Sequence, residues 1–477
     1  MIGRMTHYPK VAQLRDAAGL RRRCEELGIA IPIAEGRSGP SPLAEAWNMG
    51  RSTVGNRWCV HPMEGWDANP DGTASELTRR RWRRFGESGA KLIWGGEAGA
   101  VRCDGRANPR QLMATAAHVE SLATLRRDLV EAHRAACGDD DGLVVGLQLT
   151  HSGRFSRPNS KKLEPRIAYH HPLLDEKFGI DPADDSVLWT DTQLDELIGE
   201  YAAGAKAAAE AGFDFVDVKA CHGYLLHEFL SARERSGPYG GDLLGRSRLL
   251  CSIIEAVRRD CPSLEVGVRL SVFDRPPFRP GEGGIGEPVP LELPYRWGFG
   301  VDQRQPLQSD LSEPVELLKR LREIGVAAIN VTCGSPYYVP HVQRPAIFPP
   351  SDGYLPPEDP LVGVARQIAA TAELKAAVPG LPFVGSGYTY LQDFVPAVAA
   401  AVITAGMADA VGLGRMVLSY PAMPLDELAG RPPVRKLVCR TFSDCTTAAR
   451  RGLVSGCYPL DPFYKQLPEC EFLGRKQ

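Results

Sequence analysis

The sequence predicts an α/β fold of the (β/α)8 TIM-barrel type, in which eight parallel strands alternate with helices and close into a ring. Short apolar runs rich in β-forming residues occur eight times along the 477 residues. Amphipathic segments with helical spacing follow most of these runs. Alternating strands and helices favour a parallel sheet, and eight such units favour a closed barrel over an open, doubly wound sheet.

The short length and β-rich composition of the apolar runs identify them as strands. The predicted strands are 59–63, 92–96, 143–150, 214–218, 264–270, 327–332, 382–386 and 409–413. The segments between them have apolar residues at helical spacing. The predicted helices are 75–87, 109–137, 192–211, 247–260, 314–324, 362–377 and 390–405, after a first helical segment at 11–27.

The chain as a whole is predicted to divide into three parts. We expect an N-terminal arm over 1–55, the barrel over 56–420, and a cysteine-containing C-terminal extension over 421–477 that packs on the barrel. Long loops, 153–190 and 272–312, follow the third and fifth strands. Loops of this length are usually lids or binding loops. In a barrel they lie at the carboxyl ends of the strands, so we expect them to shape the substrate site.

Composition and charge exclude several classes of protein. The 56 basic and 58 acidic residues give a formal net charge of −2, which favours neither nucleic acid nor an anionic membrane as a partner. Twelve cysteines are too few for a disulfide scaffold of this length. The first ten residues lack an apolar signal segment. We expect a cytoplasmic protein with a small-molecule substrate, and the sequence leaves open whether it forms a homo-oligomer.

Glycines follow the last two predicted strands. Glycine allows backbone N–H groups to approach an anion closely, and an arginine can bind a phosphate group in bidentate fashion. The loops after strands seven and eight are the usual phosphate site of a barrel. The alternative is a pair of ordinary glycine turns with a surface arginine. The residues of this predicted phosphate site are Gly385, Gly387, Gly414 and Arg415.

Polar side chains stand at the carboxyl ends of the third, fourth and fifth strands. They are Gln148, Lys219, His222, Tyr224 and Arg269. Burial without partners would be costly for such groups, so we expect them to converge at the mouth of the barrel. An amide can pair with the edge of a flat heterocycle, and an arginine can stabilise negative charge there. This pattern fits flavin mononucleotide (FMN), although the spacing alone does not distinguish it from another phosphate-bearing ligand.

These residues resemble the Old Yellow Enzyme family of flavin-dependent ene-reductases. The resemblance extends from about residue 56 to 421, and its most specific part is the segment 222–231, His-Gly-Tyr-Leu-Leu-His-Glu-Phe-Leu-Ser. It implies an FMN-bearing barrel. Other matching residues, in family order, are Asn56, Arg57, Pro62, Met63, Gly95, Gly96, Glu97, Ala98, Gln148, Tyr239, Gly240, Gly241, Arg246, Gly414 and Arg415.

The resemblance also implies how FMN is held. Gln148 would bond the pyrimidine edge of the flavin, and Arg269 would lie beside its electron-accepting edge. Backbone groups of Pro62, Met63 and Ala98 would line the ring. The glycines and the arginine after the last two strands would hold the phosphate.

The implied reaction transfers hydride from NAD(P)H to FMN and then to the β-carbon of an activated alkene, such as an α,β-unsaturated carbonyl compound or carboxylate. Tyr224 matches the family's proton donor to the α-carbon. His222 matches one of two residues that hydrogen-bond the substrate's carbonyl oxygen. Hydride addition builds enolate charge on that oxygen, so donors aimed at it lower the barrier.

Two residues depart from the family pattern. Lys219 stands where the other carbonyl-binding residue is usually His or another neutral group. It either donates to the same oxygen or uses its charge to bind a carboxylate or stabilise the enolate. Glu64 stands where the family usually has Thr or Cys near the flavin carbonyl. A carboxylate there would repel a reduced, anionic flavin unless it is protonated, paired with Lys219, or pointed away.

The tail contains a degenerate cluster motif. Multidomain relatives similar to 2,4-dienoyl-CoA reductase and trimethylamine dehydrogenase hold an iron–sulfur cluster there with four cysteines. Here Cys439, Cys445 and Cys457 remain, and Phe442 stands near the position of the missing thiol. Clusters normally need four ligands, so we expect no cluster and no metal, although Cys470 could supply a fourth thiolate. We also expect no C-terminal nucleotide-binding module, so that NAD(P)H or a partner reduces FMN directly.

The sequence therefore predicts an FMN-dependent NAD(P)H oxidoreductase that reduces an activated C=C bond. One alternative is an amine dehydrogenase or oxidative demethylase resembling trimethylamine dehydrogenase. An aromatic cage for its substrate could include Tyr337, Tyr338 and Trp297. The other alternative is a flavin-binding module without turnover, which the presence of Tyr224 disfavours.

Overall fold

Eight parallel strands close into a barrel in the computed structural model, which describes residues 8–36 and 39–474. The predicted (β/α)8 fold is confirmed. The last strand pairs with the first through Val411 and Trp58, and the second pairs with the third through Leu92 and Val144. The barrel strands are β1 Trp58–Val60, β2 Leu92–Ile93 with Ala98–Ala100, β3 Val144–Thr150, β4 Phe215–Ala220, β5 Glu265–Ser271, β6 Ala328–Thr332, β7 Phe383–Gly385 and β8 Ala410–Leu413.

Strand β2 is interrupted where the chain turns toward the barrel mouth. Gly95 and Gly96 have φ angles of 140° and 52°, which side-chain-bearing residues rarely adopt. A Cβ atom on Gly95 would lie 2.8 Å from the backbone nitrogen of Gln148. The carbonyl of Gly96 accepts a hydrogen bond of 2.8 Å from the amide of Met63. The interruption therefore joins the ends of β1, β2 and β3 at the mouth.

The helices surround the barrel, as expected. The helices after β2 and β7 begin well after the residues that the sequence suggested. Residues 109–115 are not helical, because this segment pairs with the edge of β2, where Ala100 donates to the carbonyl of Leu112 at 2.8 Å. A 3-10 turn over Ala116–His118 leads into the α-helix at Val119. The helix after β7 begins at Val395, following a 3-10 segment in which Gln392 has a φ of 54°. The longer helices are Ala17–Leu27, Glu76–Gly86, Val119–Cys137, Asp191–Glu210, Leu243–Asp260, Ser312–Glu323, Pro360–Ala377 and Val395–Thr404.

The remaining elements are short. Two antiparallel hairpins lie outside the barrel, Trp47–Met49 with Ser52–Val54 and Phe278–Pro280 with Gly286–Pro288. The short α-helices are Pro172–Phe178, Leu225–Phe229, Pro340–Gln343, Arg415–Ser419, Met423–Leu428, Asp444–Arg450, Pro462–Lys465 and Glu469–Phe472. The 3-10 helices are Val11–Gln13, Pro42–Ala44, Cys103–Gly105, Ala116–His118, Gly153–Phe155, Asp185–Val187, Glu282–Gly284 and Tyr388–Phe394. Within residues 8–36 and 39–474, no helix combines the length and apolar character needed to cross a membrane.

The two long loops pack against each other and against the barrel. Arg154 in the first loop is fully buried and forms ion pairs with Asp175 and with Glu228, the latter at 2.6 Å. His171 of the same loop lies 3.3 Å from the hydroxyl of Tyr295 in the second. Removing one partner of a buried ion pair costs about 3–5 kcal/mol because the other charge is left uncompensated, so the loop conformation depends on all three charged residues being present.

The C-terminal extension packs on the barrel beside its mouth. Arg80 donates to Asp461 at 2.9 Å, and Arg450 donates to the carbonyl of Pro336 at 2.6 Å. A further hydrogen bond joins Arg344 to Thr446. The division into an arm over 1–55, a barrel over 56–420 and an extension over 421–477 stays a prediction.

Candidate active site

A cavity of about 230 Å³ opens at the carboxyl ends of the barrel strands. It brings together most of the residues singled out from the sequence, although they are spread over more than 350 positions of the chain. The predicted residues that line it are Pro62, Met63, Glu64, Gln148, Lys219, His222, Tyr224, Arg269, Gly387, Gly414 and Arg415.

Two predicted cofactor residues do not line this cavity. The carbonyl of Ala98 accepts a hydrogen bond of 2.9 Å from Gln111, so it is already used within the fold. Gly385 is the last residue of β7, where an added Cβ atom would lie 2.5 Å from the hydroxyl of Tyr388. The structure therefore gives both residues a place in the barrel wall rather than at the cavity surface.

A buried carboxylate joins the two residues expected at the flavin edge. Asp217 accepts a hydrogen bond of 2.5 Å from the side chain of Gln148 and one of 2.6 Å from the backbone of Arg269. Burial raises the pKa of Asp217 to about 6, against the lowering effect of these bonds. The Nε atom of Arg269 is buried without a hydrogen-bond partner in the described structure. Sequence reasoning missed Asp217, whose only signal was an acidic residue inside an apolar strand.

A second missed residue, His61, fills the floor of the cavity. Its ring nitrogens lie 3.0 Å from the side-chain amide nitrogen of Asn330 and 3.0 Å from the hydroxyl of Ser386. Burial, followed by the charge of Arg269, holds the pKa of His61 well below its usual value, so the ring is neutral. A Cβ atom on Gly412 would lie 2.0 Å from this ring. The glycine at 412 is thus required by packing against His61.

Glu64 and Lys219 form an ion pair at the mouth. The ammonium of Lys219 lies 2.6 Å from Oε1 of Glu64, and Trp66 donates to Oε2 of Glu64 at 3.0 Å. The same ammonium lies 3.9 Å from the centre of the Tyr224 ring. Glu64 therefore points into the site, with Lys219 as the partner considered in the sequence analysis. Its carboxylate balances the lysine charge.

His222 and Tyr224 stand on the turn that follows β4. His222 has a φ of 67°, and its carbonyl accepts a hydrogen bond of 2.7 Å from Ser335. Burial and the charge of Arg269 hold the pKa of His222 well below its usual value. Burial and the charge of Glu64 raise the pKa of Tyr224 well above its usual value. The site therefore holds a neutral imidazole beside a protonated phenol.

Two partly buried arginines lie together at the other end of the cavity. Arg344, which sequence reasoning missed, follows β6, and Arg415 follows β8. Burial, and the charge of Arg415, lower the pKa of Arg344; burial also lowers that of Arg415. In the described part of the chain neither forms an ion pair, and Nε of Arg344 and Nη1 of Arg415 lack hydrogen-bond partners. Two like charges are costly to bury without a counter-ion, so this end of the cavity fits a phosphate group.

Comparisons with known proteins assign the chain to a family. The model of the NADH:flavin oxidoreductase / NADH oxidase family matches residues 43–282, half of the chain. The protein belongs to this family. It is an FMN-dependent NAD(P)H oxidoreductase, as the sequence predicted. The match includes Glu64, Lys219, His222 and Tyr224, whereas Arg344 and the C-terminal extension lie beyond it.

Curated relatives in the family support this assignment. The chain is 29% identical over 381 residues to an NADPH dehydrogenase of Geobacillus sp. (strain WCH70), covering 78% of this chain and 89% of the relative. It is 35% identical over 138 residues to the putative 12-oxophytodienoate reductase-like protein 1 of Arabidopsis thaliana, covering 28% of this chain and 41% of that protein. These relatives confirm the predicted type of activity, which is flavin-dependent reduction of the ene-reductase kind.

Solved structures support the fold. An old yellow enzyme homologue from Zymomonas mobilis superposes with a TM-score of 0.56 at 22% identity, over 85% of this chain and 99% of that chain. A 2-naphthoyl-CoA reductase superposes with a TM-score of 0.63 at 17% identity, over 89% of this chain. The present chain spans 57% of the length of that reductase.

The tail cysteines lie around a much smaller cavity. Cys439, Cys445 and Cys457 line a space of about 20 Å³ together with Phe442. The ring of Phe442 packs against Phe348 with centroids 5.3 Å apart. Cys470, considered as a fourth ligand, packs instead with Tyr458 and Tyr464. Across residues 8–36 and 39–474, no group of three or more His, Cys, Asp or Glu residues is placed to hold a metal ion.

Proposed function

We propose that this oxidoreductase reduces the C=C bond of an α,β-unsaturated carbonyl compound or carboxylate with electrons from NAD(P)H. The observation that carries the proposal is the pairing of a neutral imidazole, His222, with a protonated phenol, Tyr224, on one turn at the cavity. Bound FMN would supply the redox chemistry, as the hydride carrier between NAD(P)H and the substrate. The protein must then bind the substrate oxygen and supply a proton to carbon.

The two partly buried arginines and the polar floor of the cavity support FMN as the resident cofactor. Arg344 and Arg415 would hold the phosphate dianion, whose charge balances theirs. Gln148 keeps its side-chain oxygen as an acceptor because its NH₂ group already donates to Asp217. The guanidinium of Arg269 would stabilise negative charge at the ring edge. Backbone groups of Pro62, Met63, Gly387 and Gly414 would complete the contact surface, as proposed from the sequence.

The residues of the mouth would divide the work of binding and protonation. His222 would donate its single N–H to the substrate oxygen. Lys219 would donate to the same oxygen with one of the N–H groups not used by Glu64. Both donors stabilise the enolate charge that builds up on this oxygen. Tyr224 would then protonate the α-carbon, which its raised pKa permits because the phenol stays protonated at neutral pH.

Separating the two half-reactions tests this proposal. With FMN-loaded protein under anaerobic conditions, NADPH or NADH should bleach the flavin, and an enone should restore the colour. Tyr224→Phe should slow recolouring by about 100-fold while changing bleaching by less than about threefold. Absence of bleaching with both nucleotides, or recolouring at the wild-type rate in the variant, would refute the proposal.

The amine dehydrogenase alternative loses its main support. The sequence suggested Tyr337, Tyr338 and Trp297 as candidate members of its aromatic cage. Only Tyr337 lines the candidate site, whereas Tyr338 and Trp297 line a separate cavity of about 20 Å³ beside Arg154. The hydroxyl of Tyr338 donates to Asp274. These three side chains therefore do not share one cavity.

We also propose a cytoplasmic location. All twelve cysteines are free thiols, which is typical of a reducing compartment. Cell fractionation with an antibody against the chain tests the location, and recovery from an oxidising compartment would contradict it. Homo-oligomer formation stays a hypothesis, which light scattering of the purified holoprotein tests.

A further inference from the structure

The hydroxyl groups of Tyr224 and Tyr337 lie 2.9 Å apart, although 113 positions separate the two residues in the chain. Their rings are nearly parallel, with centroids 6.0 Å apart. Tyr224 stands after β4, and Tyr337 stands in the loop after β6. Either hydroxyl can be the donor, so the pair is connected in a way that allows a proton to move between the two oxygens.

The proposed function leaves Tyr224 in need of a new proton after each turnover. Only 3% of Tyr224 is exposed, so bulk water has little access to its oxygen. The phenolate formed by proton donation would be buried and would face the negative charge of Glu64. Reprotonation is therefore favourable but requires a route.

Tyr337 is the more exposed residue of the pair. It is only partly buried, unlike Tyr224. Its ring stacks on Phe155 with centroids 4.1 Å apart, which holds the hydroxyl in place, and the guanidinium of Arg450 lies 5.9 Å from the ring. The side chain of Ser152 lowers the pKa of Tyr224, which makes it a second candidate for passing a proton to the phenol. Ser152 is fully buried, so a proton path through it would not reach solvent.

We propose that Tyr337 is a proton relay that reprotonates Tyr224 between turnovers. The inference rests on the proposed function, in which Tyr224 protonates the substrate. The Tyr224 O–H bond breaks as its proton forms the new C–H bond at the α-carbon. The Tyr337 O–H bond then breaks as its proton passes to the phenolate of Tyr224, and a solvent proton restores Tyr337. Each electron pair stays on its oxygen, so the relay involves no oxidation or reduction.

The Tyr337→Phe variant separates a relay from a merely structural role. The ring and its stack on Phe155 are retained, and only the hydroxyl is lost. With NADPH and excess cyclohexenone, the first turnover of the loaded, reduced enzyme should stay within about twofold of wild type, because Tyr224 starts protonated. Later turnovers should slow by at least about tenfold. The near-ultraviolet absorbance of tyrosinate should accumulate after the first turnover in the variant but not in wild type.

Three controls complete the experiment. Tyr337→His, which can also carry a proton, should restore most of the later turnovers. Ser152→Ala should leave them near the wild-type rate. A quinone acceptor, whose reduction requires no protonation at carbon, should be reduced by Tyr337→Phe at the wild-type rate.

The outcomes distinguish the relay from the function on which it rests. Equal slowing of first and later turnovers would show that Tyr337 only positions Tyr224, and would overturn the relay. The relay would also be overturned if the later turnovers of Tyr337→Phe kept the wild-type rate, or if this variant lost as much activity with the quinone as with cyclohexenone. If Tyr224→Phe is slow while Tyr337→Phe is not, the relay alone fails. If Tyr224→Phe reduces cyclohexenone like wild type, the proposed function fails and the relay fails with it.

Discussion

The ammonium of Lys219 lies 2.6 Å from Oε1 of Glu64, at the mouth of the barrel and 155 positions away along the chain. Only 3% of the Lys219 side chain and 16% of the Glu64 side chain are exposed. The pair places a full positive charge against the face of Tyr224 while keeping the local net charge near zero. A lysine with a built-in counter-ion can polarise a substrate oxygen without requiring an anionic substrate.

Removing the counter-ion should destabilise the protein. Glu64→Gln leaves the buried Lys219 without its charge partner, and we expect a loss of about 3 kcal/mol in the free energy of unfolding. Urea denaturation of the FMN-free protein measures it. Glu35→Gln is the matched control, because Glu35 pairs with Arg21 while 80% exposed and should cost less than about 1 kcal/mol. Replacing both partners, with Lys219→Met added to Glu64→Gln, should recover part of the loss. Equal losses in the free energy of unfolding for Glu64→Gln and Glu35→Gln would show that burial does not make the Glu64–Lys219 pair more costly to break.

The two unpaired arginines should recognise the phosphate of FMN and nothing else in the cofactor. Arg344→Gln and Arg415→Gln should each weaken FMN binding at least about tenfold, since each removes a charge-assisted contact. Riboflavin, which lacks the phosphate, should bind each variant as it binds wild type. Quenching of flavin fluorescence gives both affinities without any turnover.

Arg450→Gln is the control for this prediction. Arg450 lines the same cavity but has a carboxylate partner in Asp352. Its loss should change FMN affinity by less than about threefold, since the paired charge is already balanced. A parallel loss of riboflavin affinity in Arg344→Gln would mean that the variant disturbs the ring site, and would contradict the assignment.

Asp274 should make stability depend on pH. It is buried, with Tyr338 and the backbone of Arg275 as donors, and burial raises its pKa to about 7 from an ordinary value of 3.8. Because the folded-state pKa is the higher one, its stabilising contribution is complete below about pH 4 and is lost as the pH rises to about 7. Between about pH 4 and pH 7, the free energy of unfolding of wild type should fall by about 1.4 kcal/mol per pH unit relative to that of Asp274→Asn.

Chemical denaturation at several pH values checks this difference. Asp310→Asn serves as the control with the opposite sign, since hydrogen bonds from Ser312 lower the pKa of Asp310. Asp310 should contribute stability above its unfolded pKa and lose that contribution at lower pH. A pH-independent difference between wild type and Asp274→Asn would rule out titration of this carboxyl group.

Gly412→Ala should be poorly tolerated for a steric reason. The added Cβ would lie 2.0 Å from the ring of His61, which is fixed on both sides by Asn330 and Ser386. Overpacking of this kind costs about 1–3 kcal/mol or more. Gly199→Ala, in the middle of an exposed helix face with no atom within 4 Å of the added Cβ, should instead raise stability by about 0.5–1 kcal/mol. Thermal unfolding compares the two variants. Similar changes in melting temperature for Gly412→Ala and Gly199→Ala would contradict a steric clash with His61.

Much of the fold and part of the site could be predicted because the relevant signals are local. Each barrel strand is a short apolar run, and the segment from His222 to Ser231 carries its specificity within ten residues. The late start of the helix at Val119 could not be predicted, since the preceding residues have helical character but pair with the edge of β2. Arg344 carried no sequence signal of its own, and Tyr337 was noted only as a candidate cage residue, because each acquires its role from a distant partner.

The sequence alone determined the closed barrel, the placement of polar groups at its carboxyl ends and the family to which the chain belongs, because hydrophobic periodicity and short motifs act over neighbouring residues. Tertiary structure alone decided that Glu64 neutralises Lys219, that Arg344 joins Arg415, and that Tyr337 contacts Tyr224. The physical reason is that charge balance and hydrogen bonding depend on distances of a few ångströms, and closing the barrel sets those distances between residues far apart in the chain.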